Sequence, residues 1–230
     1  MDALKATANA IDPTDKGLLR VGGLAALAIG AAYIAIIALY AAVGAPPVGG
    51  EAWLNYLAGK TTAWWAIVGV SVLTNFLFLP VAFALYGALK GVNRAAMLIG
   101  VAFIGLFVTL ELAVNWVSYA SLIMLSQDYI AATSDSQRAM LVAAASYPSA
   151  VIASPLALVY AIGTLSFGFL VIGLVMRQGV FNKLTAYVGI LTGVLGIVAV
   201  MGVSIAVILN AVSATLWLFL VGYRLYRLAG

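Results

Sequence analysis

Long apolar runs, broken by short clusters of glycine, proline and charge, set the pattern of this chain. The first covers residues 17–43 and is closed by Gly44, Pro46 and Pro47; others cover 63–89, 95–125 and 148–176. From Leu184 to Val221 there are 38 residues without a single charge. A hydrocarbon core of about 30 Å is crossed by roughly 20 apolar helical residues, so this last stretch is too long for one crossing. It divides into 184–202 and 205–225, with a turn near Gly202 to Ile205. The pattern therefore predicts an all-α polytopic membrane bundle: a short N-terminal segment, 1–16, and one domain of six transmembrane helices over 17–230.

Basic residues sort onto alternate loops. With six spans, one side receives Lys5, Lys16, Arg20, Lys90, Arg94, Arg177, Lys183, Arg224 and Arg227, and the other only Lys60 and Arg138. Such an asymmetry over short loops orients a membrane protein with the basic side inward. Both termini are expected in the cytoplasm, in the cytoplasmic (inner) membrane. The opening MDALKATANAIDPTDKGLLR is polar and mixed in charge, unlike a short basic secretory n-region, and predicts a retained first anchor. Trp64, Trp65 and Trp116 fall at the expected outer interface, and Tyr223 and Tyr226 at the inner one, as aromatic belts do.

Composition agrees. Of 230 residues 65% are hydrophobic and 8% charged, against about 25% charged in soluble domains. Polar surface is too scarce to cover a water-facing globule. The net charge of +4 lies at helix ends, which orients the chain and gives no reason to expect nucleic acid. With no histidine and no cysteine there is no basis for a His-ligated metal, bis-imidazole haem, a His-based triad, a disulfide or a thiol nucleophile. No metal and no cofactor are expected.

Two outer loops exceed a turn. In APPVGGEAWLNYLAGKTT, Trp53, Tyr56 and Leu57 form an apolar stripe suited to lying on the membrane surface. In SQDYIAATSDSQRAMLVAAASYP, Ser134, Asp135 or Ser136 caps a helix expected to end by Pro148, with Met140, Leu141 and Ala144 turned to the bundle. The inner loops LYGALKGVNRAAMLIG and IGLVMRQGVFNKLTAYVG share an order of Gly, base, Gly-Val, Asn, base and a later glycine. Duplication about an axis along the membrane normal would produce this, as would the ordinary chemistry of tight turns. Small residues recur every four positions, Gly22, Ala26 and Gly30 in the first helix and Gly189 and Gly193 in the fifth. Such faces let helices approach closely, within the bundle or across a homo-oligomer seam. Pro80 and Pro155 fall inside spans two and four, where each is expected to kink its helix.

One acid, Glu111, interrupts the apolar spans. It lies 17 residues beyond Arg94, roughly 25 Å along a helix, in the outer half of the core. Asn115 and Ser118 follow at i+4 and i+7 on the same face. No base lies inside a span beyond its inner end; only Lys60 or Arg138, folding back from the outer loops, is available to pair with it. Asn75, Tyr160 with Thr164, and Asn210 with Ser213 lie at compatible depth. Glu111, Asn115, Asn75, Tyr160 and Asn210 thus form a candidate polar pocket opening outward. The alternative is a structural acid tying helices together by hydrogen bonds.

The stretches ALYGALKGVNRAAMLIG, DYIAATSDSQRAMLVAAAS, GLVMRQGVFNKLTAYVGILTG and LWLFLVGYRL resemble small prokaryotic six-helix integral membrane proteins grouped as a domain of unknown function. The resemblance spans most of the chain from about residue 15. It implies the same fold and orientation and supplies no activity, ligand or catalytic residue. Such proteins often carry an acid just before the end of the last span, where this chain reads NAVSATLWLFL without one. The expectation is a non-enzymatic membrane protein acting through helix packing and through contacts with lipids, copies of itself or the subunits of a membrane complex. The alternative is a small transporter or channel centred on Glu111.

Overall fold

The computed structural model describes residues 15–230, so the expected N-terminal segment, with Lys5, lies outside the described residues except for its last two positions. The elements are α1 (Lys16–Val43), α2 (Gly50–Leu57), α3 (Thr61–Leu110), a π-helical turn (Glu111–Asn115), α4 (Trp116–Ala131), α5 (Asp135–Ala153), α6 (Pro155–Leu158), a second π turn (Val159–Gly163), α7 (Thr164–Met176), α8 (Lys183–Val200) and α9 (Ser204–Ala229). The fold is all-α, with no strand among the described residues.

Five helical runs are long and apolar enough to cross a membrane: Lys16–Val43, Thr61–Ala131, Pro155–Met176, Lys183–Val200 and Ser204–Ala229. The second is 71 residues long, about 105 Å if straight. It is not straight, because Asn93 leaves helical geometry at φ −154° and ψ 93°. Phe78 meets Phe107 at 5.4 Å between ring centroids, and Trp64 stacks on Tyr119 at 5.4 Å. Those pairings run in opposite chain directions, so the run folds back at Asn93 into two antiparallel arms. The Asn93 side chain accepts a hydrogen bond from the Ala96 amide at 3.0 Å, capping the second arm. Asn182, its counterpart in the similar inner loop, caps α8 in the same way through Thr185 N at 2.8 Å.

Helices α1, α3, α7, α8 and α9 pack in a closed ring, each on the next and α9 again on α1. Its centre is filled by Phe78, Phe107, Phe169 and Trp217, the last two with ring centroids 4.4 Å apart. Large apolar side chains such as Leu24, Ile34, Phe76, Phe83, Leu191 and Leu216 point outward instead. Apolar surface this extensive is what a lipid-solvated bundle presents. The small-residue faces are filled within the chain. A Cβ on Gly22 would lie 2.8 Å from the Pro80 carbonyl oxygen, on Gly30 3.1 Å from the Phe219 ring, on Gly189 2.5 Å from Trp217 Nε1 and on Gly193 2.8 Å from Leu170 backbone; Ala26 is fully buried.

One end of the ring gathers the basic loops. Lys90 pairs with Asp15 at 2.8 Å, the Arg224 guanidinium donates to the Val180 carbonyl at 2.5 and 2.9 Å, and Arg20 stacks over Tyr226. Over the opposite end lies a cap of α2, α4 and α5. Trp64, expected in an interfacial belt, is fully buried there, edge-on to Trp53 at 5.3 Å, because α2 covers it; Trp65 is the half-exposed one. The Trp53 and Leu57 stripe faces the bundle and not the membrane surface. Ser126 Oγ in α4 donates to the Leu54 carbonyl at 3.0 Å, and the Gly49 amide donates to Ser149 Oγ at 3.0 Å.

Two boundaries differ from expectation. Ser134 does cap α5, accepting from the Gln137 amide at 3.3 Å, but α5 continues through Pro148 to Ala153. Ala144, whose carbonyl loses its donor to that proline, is exposed, so solvent can satisfy it. Ala145, Pro148 and Ser149 of α5 turn inward and Leu141 packs half-buried against the cap, whereas Met140, 64% exposed, and Ala144 point away. The break falls at Ser154, extended with ψ 148°, as a residue before proline is pushed to be. Pro155 then opens the next helix and does not kink one, and the fourth apolar run starts there, not at residue 148. The turn between α8 and α9 lies at Met201–Val203, where Gly202 takes φ +94°.

Candidate functional site

Beneath the cap, a cavity of about 340 Å³ opens between α1, the two arms of the α3–α4 run, and the α6–α7 run. Its polar floor comes from the sequence's lone embedded acid and its neighbours. Glu111 is 5% and Asn115 4% exposed, at the two ends of the first π turn. Asn115 Nδ2 donates to Glu111 Oε1 and, at 3.3 Å, to the Ala157 carbonyl of α6. Two acceptors thus fix the orientation of this amide, which leaves Asn115 Oδ1 buried without a partner.

Asn75 approaches from the first arm. With its nitrogen turned to the Ser71 carbonyl at 3.2 Å, its oxygen accepts from the Trp116 indole N–H at 3.1 Å. Thr74 Oγ1 also donates to Ser71 O, at 2.8 Å. The two π turns face each other across the space, Glu111 and Asn115 from one, Ala161 and Ile162 from the other. A π turn inserts one residue into a helix and re-aims the side chains around it, and such turns recur at functional sites.

Three of the five expected pocket residues, Glu111, Asn115 and Asn75, line this cavity. The other two do not. The Tyr160 side chain lies off the cavity, and its backbone carbonyl accepts from Thr164 Oγ1 at 2.8 Å. Asn210 donates to the Thr192 carbonyl at 2.7 Å and reaches Ser166 Oγ at 3.5 Å, joining α9 to α8 and α7. Helix α9 is represented at the cavity only by Val207. Ser118 is buried but bonds back to Val114 O at 2.8 Å.

Neither outer base reaches the acid. Lys60 Nζ donates to the Val43 carbonyl at 3.0 Å and sits 4.0 Å from the Tyr56 ring centroid, and Arg138 bonds Ala132 O at 3.4 Å. An aromatic wall, not expected from the sequence, completes the cavity. Tyr33 and Tyr40 enter from α1, seven residues apart and so on one helix face; Tyr119 and Trp116 enter from α4. The i, i+7 spacing of the tyrosines was the available signal. The remainder of the lining is apolar, including Ile36, Leu158, Ile162 and Val207. Among the described residues no three metal-ligating acids converge.

No family model, curated protein or solved structure matches the chain.

Proposed function

We propose that this chain is a multi-pass protein of the cytoplasmic membrane, with six crossings and both termini in the cytoplasm, that binds a small, largely apolar solute beside Glu111 in the manner of a small transporter. Six crossings follow if each arm folded at Asn93 crosses once. The gathering of Lys90, Arg224 and Arg20 at one end of the ring supports a single basic, cytoplasmic face. The proposed role is non-enzymatic, in a chain that holds neither histidine nor cysteine.

The observation that carries the reading is a 340 Å³ cavity with a buried carboxylic acid at its floor and an apolar and aromatic wall. That volume falls within the range of small-molecule sites, about 300–1,000 Å³. An acid held inside a membrane bundle costs about 2.5–3.5 kcal/mol at the centre of a span, so its retention beside open space favours a binding role.

A second reading has an observation of its own. The bonds from Asn115 to Glu111 and to Ala157 O tie the first π turn to α6, as a structural acid would. Reconstitution into vesicles with Glu111→Gln separates the two. Solute flux lost with thermal stability retained supports the binding reading; flux that survives the substitution removes Glu111 from the site.

A further inference from the structure

From an acid that no base meets, set among aromatic and apolar walls, we infer that the cavity's ligand is an organic ammonium ion, a protonated primary or secondary amine on a compact apolar body. The inference rests on the binding reading above and narrows it to a ligand class.

Several donors around the floor are already committed, while the Ser71 hydroxyl stays available to a ligand. Asn115 Nδ2 serves Glu111 and Ala157 O, the Trp116 N–H serves Asn75, and the Asn75 amide and Thr74 hydroxyl both serve Ser71 O. The acid itself keeps an acceptor: the second Glu111 oxygen carries no hydrogen bond. A ligand that meets this oxygen presents an N–H donor to it, and the Ser71 hydroxyl is free to serve an acceptor on the same ligand. The phenols of Tyr33, Tyr40 and Tyr119 adjust to either role by rotating.

Charge points the same way. Lys60 and Arg138 bond elsewhere, and no base among the described residues pairs with Glu111. A carboxylate in such surroundings is stable only with a partner, and an ammonium brings one. An anionic ligand would find no counter-charge and would face the acid. Tyr33, Tyr40, Trp116 and Tyr119 add aromatic faces, which attract a cation within about 6 Å. Ile36, Leu158, Ile162 and Val207 then cover the ligand's apolar body.

The test uses the full-length protein in lipid nanodiscs and three probes of one shape: 4-bromobenzylammonium, 4-bromobenzyl alcohol and 4-bromobenzoate. Bromine quenches tryptophan emission at contact, and Trp116→Phe assigns the signal to the cavity wall. Saturable quenching is expected from the ammonium, absent in Trp116→Phe, with the alcohol and benzoate weaker by about tenfold or more. Glu111→Gln should weaken the ammonium by a similar factor and leave the alcohol unchanged. If the alcohol binds as tightly as the ammonium, the ammonium assignment is overturned while the binding reading stands, and this comparison needs no variant at position 111. If none of the three probes quenches saturably, the binding reading fails and the ligand class with it.

Discussion

Replacing Asn115 with alanine, and separately Glu111 with glutamine, divides what holds the cavity floor together from what it binds. Asn115→Ala removes both bonds from Nδ2, one within the π turn to Glu111 and one across to the Ala157 carbonyl at 3.3 Å. Side-chain hydrogen bonds in membrane bundles contribute about 0.6 kcal/mol each and at most about 1.7. Two of them, together with a Glu111 oxygen left unpaired, put the loss at about 1–2 kcal/mol. Glu111→Gln keeps an oxygen where Asn115 donates, so its effect should stay within about 0.5 kcal/mol. Reversible unfolding in mixed micelles measures both. The expected order is wild type and Glu111→Gln together, with Asn115→Ala unfolding at lower denaturant. If Glu111→Gln falls as far as Asn115→Ala, the charge itself stabilises the fold and the division is wrong. A neutral Asn115→Ala would show that the α6 tie contributes nothing.

Other consequences concern the frame around the site. Gly22→Ala places a methyl group 2.8 Å from the Pro80 carbonyl and against the Ala84 methyl, forcing α1 from α3; a loss of about 1–3 kcal/mol is expected, and adding Ala84→Gly should restore part of it in the same unfolding assay. Asn182→Ala removes the cap on α8 and should cost about 1 kcal/mol, read as faster amide exchange at Thr185 and the next turn. Because the natural chain has no cysteine, single cysteines report threading directly. An impermeant maleimide should label positions 91 and 229 from one side of sealed vesicles and position 136 from the other; labelling of 91 and 229 from opposite sides would remove the six-crossing topology.

Much of the fold was legible because lipid imposes a simple rule: apolar length reports a possible crossing, and the boundaries near residues 17, 43, 184 and 202 lie within a few residues of the observed helix ends. Asn93 marked the fold-back through its inner-loop motif. What was not legible depends on tertiary cover. Trp64 has the composition of a belt residue and becomes core only because α2 lies over it. Pro148 reads as a stop, yet α5 runs through it where solvent reaches the freed carbonyl, and the true break is one proline later. At the site, Glu111 stood out because charge is rare in the spans, and Asn115 followed from helical spacing. Depth alone also suggested Tyr160 and Asn210. Depth says nothing of rotation about the helix axis, and the π turn at Val159–Gly163 further shifts that rotation near Tyr160. Tyr33 and Tyr40 were hidden for the opposite reason: in an apolar helix a tyrosine is unremarked until a polar neighbour on another helix gives its face a meaning.

Binding at this site requires that the Glu111 carboxyl face a cavity a small molecule can enter. Modification by a lipid-soluble carbodiimide, mapped by mass spectrometry of the full-length protein in membranes, tests it most directly. An adduct on Glu111 that 4-bromobenzylammonium suppresses is expected, with none at that position in Glu111→Gln. An unmodified Glu111 under conditions that label the exposed Glu51, or an adduct the ammonium leaves untouched, would contradict it.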